Sequence, residues 1–158
     1  MAMKSHQCLL EEFRSYCRTQ KEYLIKAGQD FRDNGDEWEY VKTKIKAGIA
    51  DLVLVTSVQI HNFAVETGPT PEWLRKAVPI ETLHDHNERF YSFFLAFLEH
   101  VSLPWVQSHD EGKKRNDTEL IEKETIKLEY IHQLCERFIA LHADVQGGND
   151  AQQNSPAL

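Results

Sequence analysis

Apolar and polar positions follow one another along this chain with the period of a helix rather than that of a strand. Between Ser5 and Phe31, the residues Leu9, Phe13, Tyr16, Cys17, Leu24, Ala27, Gly28 and Phe31 recur at helical spacing, with Glu11, Glu12, Arg14, Arg18 and Lys21 between them. This predicts an amphipathic first helix. Asp33-Asn34-Gly35-Asp36 is turn chemistry, and the pattern restarts near Asp36 with Trp38, Val41, Ile45, Ile49, Leu52, Thr56, Ile60 and Phe63. The second half of this helix adds Val53, Leu54, Val55 and Val58, making it apolar nearly all round. Such a helix is expected at the centre of a bundle.

Thr67-Gly68-Pro69 ends the second helix, and Thr70-Pro71-Glu72-Trp73 reads as a start signal. A hydroxyl can cap free N–H groups there, and a proline in the first turn loses nothing by lacking one. A short third helix therefore follows, closed by Pro79. From Ile80 to Val101, one broad face carries Leu83, Phe90, Tyr91, Phe94, Phe97, Leu98 and Val101, the aromatic wall of the core. Pro104 predicts a stop, and the wholly polar run from Ser108 to Asp117 an exposed loop. Asn116 or Asp117 can cap a last helix striped with Leu120, Ile121, Leu128, Ile131, Leu134, Cys135, Phe138, Leu141 and Val145, which Gly147-Gly148 ends.

The expected fold is thus all-α: an up-and-down bundle of four long helices plus one short helix, in a single domain over 1–145. The Gln-, Asn- and Gly-rich segment 146–158 reads as a disordered tail. Composition agrees with one domain, since 158 residues are 41% apolar and 27% charged, with 7 Gly and 5 Pro. The net charge of −7, from 18 Lys+Arg against 25 Asp+Glu, gives no broad field for holding a nucleic-acid backbone. Lys113-Lys114-Arg115, with Lys42, Lys44 and Lys46 on the second helix, is the notable positive clustering and the candidate contact for nucleic acid or an acidic protein, a solvated face being the commoner use of such charges. No apolar stretch has the length and continuity of a signal peptide or a bilayer span, because polar residues interrupt Ile49 to Val65. Three cysteines, Cys8, Cys17 and Cys135, cannot all pair, and reduced thiols in the cytoplasm are expected.

Candidate chemistry is sparse. There is no G-x-x-x-x-G-K, G-x-G-x-x-G or G-x-S-x-G, which removes the common phosphate-loop and serine-nucleophile signatures. Eight histidines in a helical bundle raise a metal-carboxylate site. The best local pair is His84 with Glu88, one turn apart, with Asp51 and His61 on the second helix and His132 or His142 on the last as further ligands. Late in the chain, Arg137-Phe138-Ile139-Ala140-Leu141-His142 resembles the R-x(4–6)-H signature of HEPN domains, small helical bundles that often dimerise and often cut RNA. That resemblance implies Arg137 as a phosphate clamp and His142 as acid or base, acting across a dimer interface without a metal. Arg137 also has Phe138 as its neighbour, where that family usually has a polar residue.

The expectation that the residues favour above these is a non-enzymatic helical interaction or assembly subunit, working without a bound cofactor. It rests on the surplus of aromatic and aliphatic positions on the second and fourth helices. Trp38, Trp73 and Trp105, all near helix starts or breaks, are its candidate contact residues for a protein partner or a second copy.

Overall fold

A computed structural model describes residues 6–65, 70–78 and 85–154, and the side chains of these within 9–145. It contains α1 (His6–Asp33), α2 (Glu37–Ala64), α3 (Glu72–Ala77), α4 (His86–Arg115) and α5 (Thr118–Asn154). No strand occurs among the described residues. The four long helices pack on one another as an up-and-down bundle, and α3 packs on α4.

Two turns set the antiparallel pairs. Between α1 and α2, Gly35 takes φ 78°, a left-handed conformation that glycine enters without a Cβ penalty. The Asp36 N–H donates to the Phe31 carbonyl at 2.8 Å, and the Asp36 carboxylate accepts from the Glu39 N–H at 3.3 Å, capping α2. Between α4 and α5, Asn116 takes φ 55° and the Asp117 N–H donates to the Gly112 carbonyl at 2.9 Å. Asp117 then caps α5 by accepting from the Leu120 N–H at 3.2 Å. Gly112 is buried here, since a Cβ on it would stand 3.1 Å from Ile121 Cγ1. Its missing side chain lets the first turn of α5 close on the last turn of α4.

The core gathers where the start of α1, the end of α2, the start of α4 and the end of α5 meet. Phe138 is its hub, with ring centroids 5.0 Å from Phe13, 5.0 Å from Phe94, 5.5 Å from Tyr91 and 5.8 Å from Phe90. Phe13, Phe90, Phe94 and Phe138 have no exposed surface. Burying each such side chain is worth about 1.5–3 kcal/mol, so this cluster outweighs any polar contact in the molecule.

The structure departs from the sequence pattern in several places. The run from Ser108 to Arg115 is the end of α4 and no loop, because a helix needs no apolar stripe where neighbouring charges pair: Arg115 lies 3.2 Å from Glu111 one turn earlier. Pro104 lies inside α4. Its absent N–H leaves the carbonyl of His100, an exposed residue, without its helix partner. Asp85, not an earlier residue, starts α4 by accepting from the Asn87 N–H at 3.0 Å. The cap residue of α3 is Pro71, with no side-chain cap, so Thr70 does not serve. The backbone of α5 continues through Gly147-Gly148 to Asn154, since a helical glycine costs only about 1 kcal/mol relative to alanine. Finally, α2, expected at the centre of the bundle, is buried on one side only, with Leu52, Val55 and Val58 exposed.

Candidate functional site

The core stripe of α5 draws His142 inward, because His142 follows Phe138 by one turn. His142 is 8% exposed, and its Nε2–H donates to Glu88 Oε1 at 3.0 Å. Its ring stacks on Tyr91 with centroids 3.5 Å apart and planes 6° from parallel. Glu88 and Tyr91 come from the first turns of α4, so this contact ties the start of α4 to the end of α5. Burial raises the pKa of the Tyr91 hydroxyl, with Cys135 and Glu88 adding to the rise.

Arg137 lies elsewhere. It is exposed, and its guanidinium carbon sits 5.2 Å from the centroid of the Tyr16 ring on α1. Five residues of helix separate it from His142, an angular offset of about 140°. The structure thus joins His142 to Glu88, which the sequence pattern pairs only within the metal-carboxylate candidate, and sets Arg137 on another side of α5. Both partners of the pair fall on apolar stripes, Glu88 one turn before Tyr91 and His142 one turn after Phe138. That register is the signal by which the contact was legible.

The remaining metal candidates do not converge. His84 lies outside the described residues. His61 stands edge-on to Phe90 with centroids 5.3 Å apart, Asp51 pairs with Lys21 at 2.6 Å, and His132 meets Glu136 at 3.0 Å on the surface. Among the described residues, no three His, Cys, Asp or Glu side chains come together. The two described cysteines are unpaired with each other. Burial pushes the Cys17 thiol up to about 12, opposed by Arg14, and burial followed by Glu99 and Glu136 raises Cys135. Neither is poised as a thiolate nucleophile.

The tryptophans occupy three unlike settings. Trp73 of α3 stacks on His100 of α4, with centroids 4.1 Å apart and planes 9° from parallel. Together with Leu95, Ala96 and Leu103 they line a groove of about 580 Å³ between α3 and α4. Trp105 is half-buried against the core, and Trp38 is 36% exposed on the first turn of α2. Lys113, Lys114 and Arg115 form the exposed last turn of α4, where cations complement the helix dipole.

The broadest anomaly is on α2. Its inner side carries Ile49, Ala50, Val53, Leu54, Ser57, Ile60 and Ala64, all buried against the bundle. Its outer side leaves Leu52 37%, Val55 68% and Val58 42% exposed. Beside Val55 runs a groove of about 380 Å³ between α1 and α2, where Ile25 of α1 is itself 56% exposed. Arg14 fixes this edge of the groove by donating to the Leu54 carbonyl and, at 2.7 Å, to Ser57 Oγ. On the same outer face, Gly48 opens onto empty space, since a Cβ there would meet nothing within 4 Å. By length and composition α2 is the one described helix apolar enough to cross a bilayer.

By fold, then, the chain is an all-α bundle of four long helices and one short one. No protein-family model matches it, and neither a curated protein nor a solved structure does.

Proposed function

We propose that this chain is a non-enzymatic assembly subunit of the cytoplasm that binds another protein surface through the outer face of α2. The observation that carries this reading is the row of Leu52, Val55 and Val58, left in solvent by a helix whose opposite side is fully packed. A water-facing helix surface is ordinarily charged. Here Asp51 is the charged residue in the central turns of that face, and Lys21 already pairs with it at 2.6 Å. Covering such a row removes apolar area from water at about 25 cal/mol per Å², which is the driving force of most association. The groove beside Val55 gives the surface relief into which a partner's side chains can fit.

A photo-crosslinking residue introduced at position 55 in the native cell tests this. The expected result is a covalent adduct of defined mass from position 55 and none from the exposed positions 129 and 144 on α5. Crosslinking that is equal at all three positions, or absent from all, overturns the reading.

A further inference from the structure

We infer that the protein covering this face is a second copy of the chain, with α2 packed antiparallel on α2 of its partner about a two-fold axis at Val55. The inference rests on the assembly reading above and names its partner.

Heptad spacing supplies the seam. Gly48, Leu52, Val55, Gln59 and Asn62 alternate at intervals of four and three along the outer side of α2, which is the a/d pattern of helices that pack side by side. Its outer stretch, from Gly48 to Asn62, is exposed at every one of these positions. An antiparallel axis at Val55 pairs each residue with the one equally far on the other side. Val55 then meets its own copy, Leu52 meets Val58, Asp51 meets Gln59 and Gly48 meets Asn62. Apolar stands against apolar, and a carboxylate against an amide that can donate to it. A parallel arrangement instead sets Asp51 against Asp51 and Lys44 against Lys44, and like charges at an interface are repulsive.

Gly48 is a second, independent sign. A glycine inside a helix costs about 1 kcal/mol relative to alanine. Nothing within its own chain requires the missing side chain at position 48, in contrast to Gly28 and Gly112, where a Cβ would crowd a neighbour. On an outer seam, that gap admits the close approach of another helix opposite it.

The area that α2 offers is part of what a dimer needs. About an axis at Val55, residues 46–64 of α2 overlap their copies over about 28 Å, and a strip about 10 Å wide offers roughly 300 Å² per protomer. The remainder of the roughly 800 Å² usual for one partner falls to α1, which lies alongside with Ile25 at the groove.

The test is light scattering on the full chain, combined with disulfide trapping. The wild type is expected at twice 18.4 kDa. Val55→Glu is expected at 18.4 kDa with unchanged helical circular dichroism, since Val55 is exposed and its loss does not touch the core. Two carboxylates meeting at the axis should weaken association by about 100-fold or more. Mixed Leu52→Cys and Val58→Cys chains should crosslink under mild oxidation, while Lys44→Cys should not crosslink to itself. A monomeric wild type overturns the inference. If the photo-crosslink at position 55 then yields a heavier adduct of another protein, the assembly reading stands without it. A dimer that survives Val55→Glu, or one that traps through Lys44→Cys, also overturns it. Flotation of the monomer with anionic phospholipid vesicles, abolished by Val55→Glu, would assign the face to a membrane and overturn both.

Discussion

Two glycines on the paired helices α1 and α2 give a controlled comparison of space. Replacing either by alanine removes the same backbone freedom from the unfolded chain and gains about 1 kcal/mol of helix propensity. Gly48→Ala meets nothing, so the full gain should appear as stability. Gly28→Ala places its Cβ 2.7 Å from Thr43 Oγ1, closer than such atoms pack. Thr43 is β-branched and donates to the Tyr40 carbonyl at 2.8 Å, so it cannot swing away without losing that bond and leaving its rotamer. Overpacking of this kind costs about 1–3 kcal/mol. The two variants should therefore differ by about 1–3 kcal/mol, with Gly48→Ala the more stable and its Tm higher by several degrees, at about 2–4 °C per kcal/mol for a chain of this size. Urea unfolding followed by circular dichroism measures this, both changes being made in the Val55→Glu background so that association does not enter. Equal stability of the two variants would refute the account of how closely α1 and α2 approach.

Other consequences follow from the core and its edges. Phe138→Ala opens a cavity at the centre of four aromatic rings and should cost about 3–5 kcal/mol in chemical denaturation. Arg14→Ala removes the link from α1 to the Leu54 carbonyl and Ser57 and should cost about 1–2 kcal/mol, discounted because Arg14 is only half-buried. Burial raises Cys17 from 9.0 to about 12, so the unfolded chain loses this proton first. Stability should be insensitive to this thiol below pH 8 and then fall between about pH 9 and 12, with a slope approaching 1.4 kcal/mol per pH unit. Cys17→Ala should flatten that part of the alkaline limb.

Much of this bundle was legible because burial dictates periodicity. The Asp36 cap, the Gly35 turn and the aromatic face holding Phe90, Phe94 and Phe97 all follow from local rules. The end of α4 was not legible, since Glu111 and Arg115 stabilise a polar helix that carries no apolar stripe. The outer face of α2 was misjudged for the opposite reason. An apolar residue records only that water is unfavourable, and Val55 carries the same signal as Val53 although one is 68% exposed and the other has no exposed surface. Sequence placed His142 beside Glu88 only as one of several alternative metal ligands, because nothing local selects a contact between residues 54 positions apart.

What touches position 55 decides whether the outer face of α2 is an interface. Photo-crosslinking from that residue in the native cell, with positions 129 and 144 as controls, should give a discrete adduct from position 55 alone. No adduct there, or the same adducts from the controls, would contradict an interface on that face.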